Sequence, residues 1–265
     1  MRFKEKIVII TGASGEIAQE MVKTVIKEGG FVVTMGAREK SIDPFLEELT
    51  KLKLTNFKRV IADLACKTQM ENMIAEIVKE YGRIDILINH VGVTQCESLE
   101  TTTPELWEKD IQINLNGTYY ITNATLKQMK KQKSGNIVTI GSVNSDRMVG
   151  NPAYSAAKAG LVHYVKAIAT EYGQYNIRAN TVSPGSVRTK AWDFRIKKNP
   201  ETFENLLKWY PLKRIATPKG VSNAVLFLAS DDADCISGVN LRVDAGLSAG
   251  VAPFAKDITS ESFGV

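Results

Sequence analysis

The chain has 265 residues, of which 44% are hydrophobic and 24% charged. That composition excludes a disordered polymer and fits one large domain with a substantial core. Its 34 basic and 29 acidic residues leave a net charge of +5, too mild an excess to point to nucleic acid. The densest basic run, LKQMKKQKSG at 126–135, has no interleaved aromatics. It falls where a helix should end and complements the negative end of the helix dipole. Cys66, Cys96 and Cys235 are scattered, and His90 and His163 have no partners at metal-ligand spacing. No metal is expected, the thiols read as reduced, and both histidines read as ordinary. The apolar run after the N-terminus is too short for a signal peptide, and no segment approaches 18 apolar residues. The expectation is a soluble cytoplasmic protein with no membrane partner.

Apolar runs and helix-like stretches alternate along the chain. KIVIIT (6–11) reads as a buried strand, GEIAQEMVKTVIKEGG (15–30) as a helix and FVVTM (31–35) as a strand. FKRVIADL (57–64) is a third strand, followed by a helix over 68–82 and a fourth strand, IDILIN (84–89). A long helix is predicted from Pro104 to about Lys131, then a fifth strand, GNIVTIGS (135–142). A helix from about Tyr154 to Tyr172 precedes the sixth strand, NIRANTVS (176–183). A helix over 218–230 and a seventh strand, GVNLRVDAG (238–246), complete the series. Short strands without strict alternation are buried on both faces, and strand–helix repetition implies parallel pairing with right-handed crossovers. The predicted fold is α/β: a doubly wound sheet of about seven parallel strands with helices on both faces, in a single domain over 1–250. Such sheets bind ligands at the carboxyl ends of their strands.

TGASGEIA (11–18) joins the first strand to the first helix. Gly12 and Gly15 let the backbone turn tightly against a pyrophosphate, which the free N–H groups and positive dipole end of the helix favour. Ser14 and Ile17 fall in the same turn. At the end of the second strand, TMGAREK (34–40), no acid precedes Arg38. An acid there would bond the ribose 2′-hydroxyl of NAD; a guanidinium matches a 2′-phosphate. NADP(H) is therefore favoured. The alternative is an Arg38 that faces solvent, and Glu39 beside it leaves NAD(H) open.

In AYSAAKAG (153–160), Tyr154 and Lys158 stand at i and i+4 on one helix face. A free tyrosine, with a pKa of about 10, is a poor proton donor or acceptor near neutrality. A nearby ammonium favours the phenolate, and a fall of about three units corresponds to roughly 4 kcal/mol. The small residues around the pair leave room for a ligand or a partner helix. Ser142 ends the fifth strand on the ligand side, where its hydroxyl would bond a substrate oxygen while Tyr154 moves the proton. No GxSxG elbow surrounds it, which argues against a hydrolase.

Together these motifs resemble the short-chain dehydrogenase/reductase family in its single-domain, Rossmann-like form, from about Lys6 to about Gly246. YSAAK is similar to the family's YxxxK and GNIVTIGS to its serine-bearing strand. INLNG (113–117) is similar to the segment of its helix-kinking asparagine, which maps to Asn114. INHVG (88–92) resembles the NNAG strand end, mapping to Asn89 and Gly92, and ADL (62–64) the adenine contact, through Asp63 and Leu64. SPGSVRT (183–189) resembles the loop that holds the nicotinamide amide, with Pro184, Gly185, Val187 and Thr189.

The resemblance implies Tyr154 as acid–base, Lys158 as ribose ligand, Ser142 as substrate-orienting residue and Asn114 as support for a proton relay. It implies hydride transfer between nicotinamide and a carbonyl or secondary alcohol, such as a 3-oxoacyl, sugar or polyol ketone. It also implies a homotetramer. The chain departs from the family's TGxxxGxG turn, with Glu16 and Ala18 where glycines stand and Gly15 instead. His90 and Val91 replace the second Asn and the Ala of NNAG. The altered turn keeps two other readings open: a catalytically silent nucleotide-binding regulator or scaffold, and an epimerase or dehydratase.

Residues 190–214 resemble a substrate-covering lid. Trp192, Phe194, Trp209 and Tyr210 are its candidate pocket walls. Arg195, Lys197, Lys198 and, after the serine strand, Arg147 are candidate contacts for an anionic substrate. The tail, 251–265, would close an active site or fray.

Overall fold

The computed structural model describes residues 1–259. Its strands are β1 (Ile7–Thr11), β2 (Phe31–Gly36), β3 (Phe57–Ile61), β4 (Ile86–Asn89), β5 (Gly135–Ile140), β6 (Ile177–Pro184) and β7 (Asn240–Val243). They form one sheet in the order β3-β2-β1-β4-β5-β6-β7, and every pairing is parallel. The order reverses between β1 and β4, whose carboxyl ends, Thr11 and Asn89, flank the crevice where such sheets take their ligands.

The main helices are α1 (Glu16–Lys27), α2 (Glu39–Lys51), α3 (Lys67–Tyr81), α4 (Pro104–Ile111), α5 (Thr118–Gln132) and α6 (Pro152–Tyr172). Short helices α7 (Asp193–Lys198) and α8 (Thr202–Leu207) follow, then α9 (Pro218–Ala229) and α10 (Ala252–Ile258). Successive strand residues point to opposite faces, so each buried strand feeds two cores. In β1, Val8 and Ile10 join Met21, Val22 and Val25 of α1, Ile42 and Phe45 of α2, and Val225 and Leu226 of α9. Ile9 joins the other core, with Met70 and Ile74 of α3, Ile121 and Met129 of α5, and Val165 and Ile168 of α6.

The sequence reading has no helix over 39–51, and the kink that the resemblance implies at Asn114 takes a specific form. Helix α2 was unpredicted, and Pro44 lies inside it, yet Ile42, Phe45, Leu46 and Leu49 give it a buried face. The long helix from Pro104 is interrupted by a π-helical turn, Gln112–Gly117, between α4 and α5. Residues 190–214 hold a 3₁₀ turn (Lys190–Trp192), α7 and α8. Of the tail, 260–265 lie outside the described residues. Among the described residues no helix is long and apolar enough to cross a membrane, and no cluster of His, Cys, Asp and Glu could hold a metal ion.

Candidate active site

A cleft of about 810 Å³ opens at the carboxyl ends of the strands. It joins the glycine turn, the β2 and β3 ends and the Ser142–Tyr154–Lys158 group in one volume. Gly12, Ser14, Gly15, Ile17, Arg38 and Asp63 line it, as do Leu64, Gly92, Pro184, Gly185 and Val187.

The glycine turn shows why side chains are excluded there. Gly12 has φ +67°, where an L side chain is strained. At Gly15 an added Cβ would lie 2.7 Å from His90 Cε1, a clash. Gly15 is the N-cap of α1 and offers no side-chain cap, so the first N–H groups of that helix are free for an anion. His90, set aside as ordinary in the sequence, lines the cleft. Its backbone N–H donates to Thr11 Oγ1 at 2.9 Å and its Nδ1 lies 3.2 Å from the Gly12 carbonyl. Burial, aided by the Lys158 charge, lowers its pKa to about 4, so at neutral pH the ring is uncharged, and Nδ1–H donates to Gly12. The signal was its place directly after a strand end. Glu16 is turned away from the cleft: its Oε2 accepts from the Lys190 N–H at 2.6 Å.

At the β2 end, Arg38 is exposed and makes no ion pair among the described residues. Glu39, the acid beside it, pairs with Arg59 at 3.3 Å and does not line the cleft. Ser41, at the start of α2, does line it and donates to the Arg38 carbonyl at 2.7 Å.

Helix α6 carries the Tyr154–Lys158 pair. Ala153, Ser155 and Ala157 are buried, and Gly160 faces Leu115 of the π turn, which a Cβ would meet at 3.3 Å. Ala156 and Ala159 face outward, so only some of the small residues serve packing around the pair. Gly92 allows the strand-end loop to pass closely, since its Cβ would lie 3.4 Å from Lys158 Nζ. Lys158 is 1% exposed, and its ammonium donates to the Ile140 carbonyl at 2.8 Å and the Val91 carbonyl at 3.4 Å. Burial lowers its pKa to about 8.

Here the structure corrects the sequence expectation. Burial holds the Tyr154 phenol above its ordinary pKa, and a hydrogen bond donated by Ser142 to the phenolate would oppose the rise. The Lys158 ammonium, 5.5 Å from the Tyr154 ring centroid, is aimed at the two carbonyls instead.

Several of the predicted residues do not line the cleft. Asn89 is buried, and its amide donates to Thr122 at 2.9 Å and Thr139 at 3.3 Å, tying β4 to α5 and β5. Asn114 is fully buried in the π turn, where it accepts from the Val93 N–H and donates to the Val93 and Asp110 carbonyls. Thr189 accepts at its carbonyl from the Trp192 N–H. Trp192 packs against Phe203 in a tilted arrangement, 5.4 Å between centroids, with Arg195 over its face. Arg147 donates to the Ser248 carbonyl at 2.9 Å.

Arg195 pairs with Glu97. Tyr210 is buried, its hydroxyl accepting from the Ser186 N–H at 2.9 Å, and Trp209 is 48% exposed. The cations proposed for an anionic substrate are thus either committed or off the cleft, while Val93, Ile140, Pro184 and Val187 are among the apolar residues that line it.

The arrangement is a phosphate-ready turn and a buried Ser–Tyr–Lys group sharing one crevice. The family model described as enoyl-(acyl carrier protein) reductase matches residues 12–248. An uncharacterised oxidoreductase of Schizosaccharomyces pombe is 38% identical over 263 residues, 99% of this chain and 98% of its own. The 3-oxoacyl-(acyl-carrier-protein) reductase of Thermotoga maritima is 32% identical over 252 residues, 93% of this chain and 99% of its own. A Burkholderia thailandensis oxidoreductase of the short-chain dehydrogenase/reductase family superposes with a TM-score of 0.91 at 39% identity, covering 98% of this chain and 99% of that one. Matched in fold and along nearly its whole length, the chain belongs to the short-chain dehydrogenase/reductase family of NAD(P)-dependent oxidoreductases.

Proposed function

We propose that this protein transfers a hydride between a nicotinamide cofactor, preferentially NADP(H), and a neutral carbonyl compound or its secondary alcohol, with Tyr154 as general acid–base. The carrying observation is the single cleft that holds the glycine turn and the Ser142–Tyr154–Lys158 group together.

The residues fit such a cofactor. The Gly12–Gly15 turn and uncapped start of α1 suit a pyrophosphate. Arg38 and Ser41, with Glu39 drawn off by Arg59, suit a 2′-phosphate better than a bare 2′-hydroxyl. Lys158, buried and pointing at neutral carbonyls, would hold the ribose hydroxyls. The bound nicotinamide supplies or accepts the hydride.

Tyr154 gives its phenolic proton to a substrate carbonyl oxygen, or takes one from an alcohol. Ser142 fixes the same oxygen. The segment 190–214 acts as a lid, tied to the glycine turn through Lys190 and Glu16. The apolar wall of Val93, Ile140, Pro184 and Val187 favours an uncharged substrate such as a 3-oxoacyl ester or cyclic ketone. An assembly of four chains belongs to the same reading. It is supported by the exposed Val239 and Leu241 near and in the edge strand β7, and by exposed Phe227; light scattering after gel filtration reads it.

The test follows NADPH consumption with ethyl acetoacetate and a panel of cyclic ketones. Tyr154→Phe should reduce kcat by about 10²–10⁴-fold while NADPH still binds. Full activity in that variant would remove Tyr154 from the chemistry.

A further inference from the structure

Ser142 does not face the cleft with a free hydroxyl. The short 3₁₀ turn after it, Val143–Ser145, brings Asn144 back against it. Asn144 Nδ2 donates to the Gly150 carbonyl at 2.9 Å and lies 3.0 Å from Ser155 Oγ. Ser155 donates to the same carbonyl at 2.9 Å.

The Gly150 carbonyl is held in place. Gly150 and Asn151 are both left-handed, with φ +93° and +56°. The Asn151 N–H and side-chain amide are anchored on the carbonyls of Glu97 and Cys96. A carbonyl only accepts, so the NH₂ of Asn144 must face Gly150 and its Oδ1 must face Ser142.

That orientation decides the Ser142 proton. Ser142 Oγ lies 3.1 Å from Asn144 Oδ1, which has no proton to give, so Ser142 donates. The Asn144 N–H also donates to Ser142 Oγ, at 3.2 Å. A hydroxyl has one proton and two lone pairs. The proton and one lone pair are committed to Asn144, which leaves one lone pair.

We propose that Asn144 is a positioning residue that holds the Ser142 proton on its own carbonyl oxygen, so that Ser142 meets the neutral Tyr154 phenol or a substrate hydroxyl as an acceptor. The inference rests on the reading of Tyr154 as acid–base. Ser142 is then set to take a hydrogen bond from the neutral Tyr154 phenol or from an alcohol. To stabilise the phenolate or a ketone it must turn its proton away from Asn144. Asn144 and Tyr154 compete for one proton.

The charged groups around Tyr154 are few. Lys158 lies below its ring on α6, and neutral His90 follows β4. On the loop after Asn144, Asp146 is bound to Arg242 and Arg147 to the Ser248 carbonyl.

The test is a ¹³Cζ-tyrosine NMR titration of the NADP⁺ complex, with the Tyr154 resonance assigned by Tyr154→Phe. Asn144→Ala frees the Ser142 proton for the phenolate, so the Tyr154 proton affinity should fall about tenfold. In a Ser142→Ala background the same substitution should change nothing further. Asn144→Ser, too short to span Gly150 and Ser142 together, should repeat the fall if the alanine variant does not fold. An unchanged Tyr154 titration in the Asn144 variants, or an equal shift in the Ser142→Ala background, would overturn the inference. Because the readout needs no turnover, it is separate from the reading it rests on, which fails if Tyr154→Phe stays active.

Discussion

The two ends of the sheet both carry charged pockets, and they treat charge in opposite ways. At the amino ends of the strands a pocket of about 280 Å³ is lined by Arg2, Lys6, Asp85, Asn136, Arg178 and Asp231, among others. Its groups are largely committed to the chain itself. Arg2 grips Glu28 through two bonds of 2.7 Å. Arg178 donates to the carbonyls of Leu228, Ser230 and Ile236. Asp85 accepts from the Ile7 N–H at 2.8 Å and pairs with Arg83. At the carboxyl ends, Arg38 has no ion partner among the described residues, the start of α1 is uncapped, and Lys158 faces only neutral carbonyls. A pocket whose charges are satisfied internally holds a fold together; one whose charges are unanswered is prepared for a ligand.

Substitutions at each end sharpen that contrast. The largest effect on stability belongs to Lys158. Its pKa of about 8 lies below the ordinary lysine value, so between about pH 8 and 10.5 the unfolded chain holds a proton that the folded chain has released. The stability of the cofactor-free protein should therefore rise with pH across that window, by about 3 kcal/mol from this group. The rise should be absent from Lys158→Met when urea unfolding of the two proteins is compared at each pH. Equal slopes would mean that the buried ammonium carries no strain. At the other end, Arg178→Met strips donors from three carbonyls and should cost about 2 kcal/mol of stability. It should leave NADPH affinity untouched; a change in Kd would break the division between the two ends.

Arg38→Ala should weaken NADPH binding about tenfold, close to 1.4 kcal/mol, with little change for NADH. Fluorescence titration of both cofactors reads it, and equal losses for the two would point to NAD. The smallest effect is expected of Glu16→Ala, which removes the acceptor for the Lys190 N–H. NADPH dissociation, followed by stopped flow, should quicken only a fewfold. An unchanged rate would detach the segment after Lys190 from cofactor retention.

Much of the fold was legible because buried parallel strands leave short apolar runs between helices. All seven strands were found that way. Helix α2 was hidden by Pro44 and by a charged first turn, although its buried Ile42, Phe45, Leu46 and Leu49 have helical spacing. The π turn changes the backbone without changing residue types, so nothing in the sequence's periodicity marked it. In the candidate site, most of the residues named on turns at strand ends line the cleft, since the backbone itself forms it there. Asn89 and Asn114 do not line it, because which way a strand or helix side chain points is set by packing against α5 and the loop at Val93. His90 lacks metal partners in the sequence and stands out there only as a departure from NNAG, because its contact is with a glycine turn nearly eighty residues earlier in the chain.

The strand order also bears on how the chain is made. β1 is synthesised early and ends at the middle of the sheet, with β2 and then β3 added on one side and β4 to β7 on the other. Each new strand finds its neighbour already made, so the sheet can grow outward at the pace of the ribosome. The growing edge during synthesis is the latest strand, opposite β1 until β4 pairs with it and opposite β3 thereafter, and a chain stalled after β5 leaves that strand unpaired on one side until β6 arrives. Protease sensitivity of nascent chains released at successive lengths should accordingly fall in steps, the last with β7.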